Sequence, residues 1–362
     1  MDSAEIAKRR LINQRIIGER CDQPEEVVRW MGAMQAQDYQ QAVWAVGLRT
    51  RAAGLAEVEQ AIAGGKIVRT WPQRGTLHFV AAEDAKWMLD VSAQRRLAAD
   101  ATRRRQLELD DQTVGRCGEL FQAALASGKR LTRSAMMQLL EDAQISTTGQ
   151  RGYHLLWYHA QAGLICQGPL DGKEQTFMLL DEWVPTSRQL SREASLAELA
   201  GRYFASHGPA TLDDFAGWAG LTLTDARIGL DAVQSTLVAE KSEGKAYWLA
   251  GDAPDHQMQE ATDIHLLPGF DEYLLGYKDR SDVLAVEHAP KVVPGGNGVF
   301  FPIIVVNGQV VGTWKRSIKK NAVTITLTPF APLATPEDVL SAAAGRFSDF
   351  LGMPLSVISV EG

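Results

Sequence analysis

The sequence predicts a mainly helical α+β fold, with three tandem winged-helix units followed by a small β-rich module. Three observations predict it. First, an order of three helical segments and one short hairpin recurs three times, at a period of roughly 80 residues, and repetition of one supersecondary unit is a fold-level signal. Second, each hairpin turns on residues such as Pro72-Gln73-Arg74-Gly75 or Pro169-Leu170-Asp171-Gly172, which break regular structure. Third, from about Thr262 the helical spacing gives way to runs rich in β-branched residues.

In chain order, Pro24 opens a helix at a first-turn position, where its missing N–H costs nothing. Val27, Trp30, Met31 and Met34 then give one apolar stripe. Leu55 to Ala63 is a short helix ended by Gly64-Gly65, and strands at 66–71 and 76–80 close the first unit, residues 1–82. Residues 83–185 hold a linker helix and the second unit. Its helices are Thr113 to Ala126, Thr132 to Glu141 and Gly149 to Ala162, and its strands are 164–167 and 176–180. Residues 186–255 repeat the order with helices Arg192 to Ser206, Thr211 to Trp218 and Thr222 to Val233. Strands 235–240 and 245–249 pair through Ser242-Glu243-Gly244. Residues 256–362 form the β module, with strands at 283–286, 301–306, 310–314 and 323–327, an Asn307-Gly308 hairpin turn, and a closing helix from Pro336 to Leu351.

Composition narrows the function. The 362 residues carry 37 basic and 44 acidic side chains, a formal charge of −7, and 45% are apolar, as in a globular chain. No apolar run approaches ~18 residues, so no transmembrane helix is expected. Residues 1–10 place acids before bases and no apolar signal region follows, so the expected compartment is the cytoplasm, with the nucleoid. Cys21, Cys117 and Cys166 are too few and too scattered for a disulfide framework or a zinc motif. The seven histidines show no i, i+4 pair, and His154 and His159 are five apart, so no metal and no cofactor is expected. Pro294-Gly295-Gly296-Asn297-Gly298 lacks the Lys-Ser/Thr of a phosphate loop and reads as a turn.

Four segments carry candidate chemistry. In a continuing helix Gln35 and Gln37 would lie about 200° apart. In an extended chain they point the same way and Ala36 points oppositely. Either a shared site forms because the helix ends near Met34, or the segment is a solvated polar loop. Arg69, Arg74 and His78 beside Trp71 and Phe79 suit phosphate contact and base stacking, and equally an ordinary hairpin with one buried face. Arg95, Arg96 and Arg103, with Lys315, Arg316 and the run to Lys320, add basic patches, while acids gather elsewhere, as at 252–260. Asp271, Glu272 and Tyr273 form either an acid–base pair with one desolvated carboxyl or a hydrogen-bonded structural node.

Met34-Gln35-Ala36-Gln37, Arg74-Gly75-Thr76-Leu77-His78, His207-Gly208-Pro209-Ala210-Thr211, Leu267-Pro268-Gly269-Phe270-Asp271-Glu272-Tyr273 and Gly312-Thr313-Trp314-Lys315-Arg316 follow one another along nearly the whole chain. In that order they resemble the bacterial winged-helix DNA glycosylases related to AlkZ and YcaQ. The resemblance implies three winged-helix units folded into a concave DNA-binding scaffold. It also implies a catalytic signature of Gln, an aliphatic residue, then Gln or Asp, here Gln35-Ala36-Gln37. The second glutamine is nearer the AlkZ side. Ala36 is small for its position. Excision of alkylated purines from double-stranded DNA follows as the implied activity, including purines joined in interstrand crosslinks. A monomer is expected. The alternative class is a winged-helix DNA-binding protein without catalysis, such as a transcriptional regulator, since fold alone does not fix function.

Overall fold

The computed structural model describes residues 1–242, 244–251, 264–319, 322–333 and 335–360. Glu243, the acidic stretch 252–260, the boundary at 255/256, Thr262 and Lys320 lie outside them. The chain forms two compact units, Met1–Val58 with Leu196–Gly362, and Glu59–Ser195.

The first segment contains α1 (Ser3–Asn13), α2 (Pro24–Met31), β1 (Ala33–Gln35) and α3 (Tyr39–Arg49). α2 begins at Pro24 as the sequence predicts, with Glu26 Oε2 accepting from the N–H groups of Asp22 and Gln23 at 3.1 Å each. Its stripe is shorter than the spacing suggested: Gly32, at φ 78° and ψ −66°, ends the helix, and Met34 belongs to β1. α4 (Leu55–Ala63) leads into the second unit.

That unit contains β2 (Ile67–Gln73), β3 (Thr76–Ala81), α5 (Ala85–Ala99), α6 (Ala101–Gln106), α7 (Asp111–Leu125), β4 (Leu131–Thr132), α8 (Arg133–Asp142), α9 (Arg151–Gln161), β5 (Ile165–Asp171), β6 (Glu174–Leu179) and α10 (Leu180–Trp183). Within it the strands run in the order β3-β2-β5-β6-β4. β2 extends to Gln73, so the first wing turns on two residues only, Arg74 and Gly75, both at positive φ. The helices pack on this sheet through Trp71, Phe121, Leu155, Ile165 and Phe177. Burying each large apolar side chain is worth about 1.5–3 kcal/mol.

The chain returns through α11 (Arg192–His207), α12 (Leu212–Ala219), α13 (Leu223–Val233), β7 (Leu237–Ser242) and β8 (Lys245–Ala250). Thr211 and Thr222 cap α12 and α13 by accepting from Asp214 N and Asp225 N, at 3.1 Å each. Helices followed by an antiparallel hairpin thus recur three times, with β2–β3, β5–β6 and β7–β8. The C-terminal module holds β9 (Ile264–Leu267), α14 (Glu272–Leu275), α15 (Ala289–Val292), β10 (Ile303–Val306), β11 (Gln309–Lys319), β12 (Ala322–Pro329), α16 (Glu337–Leu351) and β13 (Leu355–Val360). Its five strands run β13-β12-β11-β10-β9, antiparallel except for β12 with β13. Asn307 and Gly308, at φ 49° and 82°, make the predicted two-residue turn. Phe347 of α16 sits edge-on to Trp44 of α3 and Trp314 of β11, both at 5.2 Å.

The segment 283–286 is not a strand. Its residues form turns leading into α15, and Val283 and Leu284 donate their N–H groups to Arg280 O. An apolar tetrapeptide alone does not separate a buried turn from a strand.

Candidate active site

Gly32 stops α2 three residues before Gln35, and Asp38 starts α3 one residue after Gln37 by accepting from Gln41 N at 3.2 Å. The chain between them is extended or bent, not helical. Burial alternates along it. Ala36 is fully buried, Gln35 is half-buried and Gln37 is exposed. The strand ends at Gln35 and Gln37 lies in a bend, and both glutamines are less buried than the alanine between them.

The backbone of this segment is held from far along the chain. Glu272 Oε1 accepts the Gln35 N–H at 2.8 Å, and its Oε2 accepts from Trp218 Nε1 at 2.9 Å. His207 Nε2 stands 3.6 Å from the same carboxylate, and its Nδ1 is 2.8 Å from Ser206 Oγ. Burial holds the His207 imidazole below its ordinary pKa, against the raising effect of Glu272, so the ring stays neutral at neutral pH. Asp271 is fixed by a two-pronged buried ion pair with Arg49, at 2.9 and 2.8 Å, while Arg49 Nε donates to Gln14 O at 2.9 Å. Asp271 also caps α14 through Tyr273 N at 2.9 Å. Tyr273 Oη donates to Gly308 O at 2.7 Å, and burial pushes its phenol well up. Apart from the local Ser206–His207 contact, the hydrogen bonds named here join distant segments or cap an element. Asp271-Glu272-Tyr273 is thus a structural node, and one of its carboxylates positions the Gln35 backbone.

The basic residues divide by exposure. Arg95, Arg103 and Lys315 are exposed, and Arg74, Arg96 and Arg316 are half-buried. Arg69 and His78 are buried in the sheet, at 3% and 0% exposure, because β2 and β3 are covered on both faces. His78 Nδ1 lies 2.9 Å from Thr76 O and Nε2 lies 3.2 Å from Arg74 Nη2. A carbonyl only accepts and a guanidinium only donates, so the His78 proton sits on Nδ1. Arg96 donates to Gln161 Oε1 and Pro72 O, both at 2.8 Å. Desolvation, then the charges of Arg95 and Arg74, pull its pKa down to about 10. Arg74, Arg95 and Arg96 thus gather in one place. Arg316 lies over Phe347, 5.4 Å from the ring centroid, and burial lowers its pKa against the charge of Asp38, the neighbour of Gln37. Among the described residues, no group of three or more His, Cys, Asp or Glu side chains could hold a metal ion, and no helix is long and apolar enough to cross a membrane.

A family model described as "DNA glycosylase AlkZ-like" matches residues 28–350, which include the glutamine pair and its anchors. The chain belongs to the AlkZ-like DNA glycosylase family. It is accordingly an enzyme acting on N-glycosyl bonds in DNA. A similar member is the interstrand DNA cross-link repair glycosylase of Streptomyces sahachiroi, 27% identical over 328 residues, covering 84% of each chain. The solved structure of the S. sahachiroi DNA glycosylase AlkZ superposes with a TM-score of 0.83 at 23% identity, covering 100% of both chains, and shows that the AlkZ-like fold is shared.

Sequence reasoning missed Trp218, Arg49 and the part played by His207. Glu272 and Gln35 are 237 positions apart, and no local pattern pairs them. The one available signal is that Glu272 and His207 each lie inside a segment that carries the resemblance.

Proposed function

We propose that this chain hydrolyses the N-glycosidic bond of alkylated purines in double-stranded DNA, including purines joined in interstrand crosslinks. The observation that supports the reading is the burial at 35–37, where a buried Ala36 lies between a half-buried and an exposed glutamine outside any helix. The name of the S. sahachiroi relative supports the crosslink part.

An N7- or N3-alkylated purine is cationic and leaves as a neutral base when the bonding pair moves onto it. No strong acid is needed. Water adds at C1′ and its proton passes to solvent. A neutral glutamine is a poor base, but its amide oxygen orients water and favours the cationic sugar, which is positioning with electrostatic stabilisation. Gln37, the more exposed, holds the water. Gln35, whose backbone is tethered by Glu272, contacts the lesion or sugar. Arg95, Arg103 and Lys315 contact phosphates, with Arg74, Arg96 and Arg316 beside them. Arg69 and His78 shape the first wing from within. The protein works as a monomer in the cytoplasm, on the nucleoid.

Incubation with duplex DNA carrying N7-methylguanine, and with a crosslinked duplex, tests this by the appearance of abasic product. Gln37→Ala is expected to slow excision about 100-fold with DNA affinity retained, the scale seen when one stabilising dipole is removed. DNA binding without excision of any alkylated purine would assign the chain to non-catalytic DNA binding instead.

A further inference from the structure

A cleft of about 300 Å³ in the second unit lies apart from the glutamine segment in sequence and is lined by Asp100, Arg103, Gln150, Tyr153, His154 and Trp157. Its walls combine three chemistries. Arg103 is held by two neutral amides, donating to Gln150 Oε1 at 2.9 Å and Gln106 Oε1 at 3.2 Å. Among the described residues no carboxylate pairs with it, so its charge is left for an incoming anion. Tyr153 is 42% exposed, and together with Gln150 it also lines a second opening that includes Arg133. The Arg133 guanidinium stands 5.9 Å from the Tyr153 ring centroid. Behind them, His154 stacks on Trp157 at 5.4 Å, and Trp157 Nε1 donates to Gly75 O at 3.2 Å, which fixes the indole. His154 Nε2 is 3.0 Å from Asp100 Oδ2. The Asp100 carboxylate can accept from the ring N–H there, which holds the imidazole in the cleft wall.

We propose that this cleft binds one unstacked nucleotide, with its phosphate on Arg103 and its base against Tyr153. An aromatic face beside an unpaired arginine is the pairing that holds single-stranded nucleic acid. The inference rests on DNA being the substrate, but not on the glutamines being catalytic. The nucleotide belongs either to a DNA strand or to the free pool, and two probes separate these sources.

The test measures affinity of the full-length protein for a labelled oligodeoxyadenylate and for deoxyadenosine monophosphate. The variants are Tyr153→Leu, Tyr153→Phe and Arg103→Ala, all at exposed positions. Tyr153→Leu is expected to weaken oligonucleotide binding about 5- to 100-fold, the range for one lost base stack, while Tyr153→Phe keeps most of it. Arg103→Ala is expected to flatten the logarithmic salt dependence by about 0.7, one phosphate contact on a single strand. A response to the oligonucleotide alone assigns the cleft to the strand, and a parallel response to the monophosphate assigns it to the free nucleotide. Wild-type affinity of Tyr153→Leu and Arg103→Ala for both probes overturns the proposal. Gln37→Ala, expected to bind the oligonucleotide normally while losing excision, keeps failure of the catalytic reading distinct from failure of this one.

Discussion

At the scale of single residues, the site depends on charges that water does not reach. Arg49 and Asp271 are 0% and 1% exposed along their side chains and are bonded twice. Removing one partner strands the other, which costs about 3–5 kcal/mol in comparable pairs. Asp271→Ala is therefore expected to lower the urea midpoint sharply, and Arg49→Leu with Asp271→Leu together to lower it less than either change alone. His265 makes a second residue-level prediction. It is 2% exposed, both ring nitrogens lack hydrogen-bond partners among the described residues, and burial followed by the charges of Arg346 and Arg20 pulls its pKa to about 3. The unfolded ring takes its proton near pH 6.5. The stability this imidazole contributes is thus complete above pH 6.5 and is lost progressively as pH falls towards 3. Between pH 7 and pH 5 the loss is about 2 kcal/mol. Urea titrations at the two pH values check this, and His265→Phe is expected to flatten the difference.

At the scale of elements, Gly32 decides whether the glutamines share a face. Its φ of 78° with ψ of −66° is strained for any residue with a Cβ, and that Cβ would meet the Trp218 ring at 3.4 Å. Gly32→Ala is expected to destabilise by about 1–3 kcal/mol and to slow excision by disturbing β1, measured by thermal unfolding and turnover together. This stop was only half legible in the sequence. The requirement that α2 end before Gln35 follows from helix geometry, but its apolar spacing runs on through Met34, because a strand residue facing the core is as apolar as a helical one. The three helix–hairpin rounds were legible from turn residues and periodicity. β9 was not, since Ile264–Leu267 is a four-residue run without alternation, and β13 was hidden because a parallel partner is recruited from across α16. Side-chain exposure was the least legible property. Arg69 and Arg95 look equally available in the sequence, yet one lies inside a sheet and the other on the surface of a helix.

At the scale of the whole molecule, a charge of −7 coexists with membership of a DNA glycosylase family, since net charge does not fix where the charges sit. Each phosphate contact then weighs heavily. Lys315→Ala is expected to weaken binding about equally for all DNA sequences and to reduce the logarithmic salt slope by about one, read from titrations at several salt concentrations. The interrupted first unit has a consequence for how the protein is made. Gln35 and Gln37 leave the ribosome early, but Glu272, which holds their backbone, follows 237 residues later. At roughly 5–20 residues per second that interval lasts on the order of tens of seconds. Throughout it the glutamines belong to a chain whose anchoring carboxylate does not yet exist. A prematurely terminated product ending before Glu272 therefore carries the whole Gln-Ala-Gln segment without the carboxylate that holds its backbone, and is expected to show no excision.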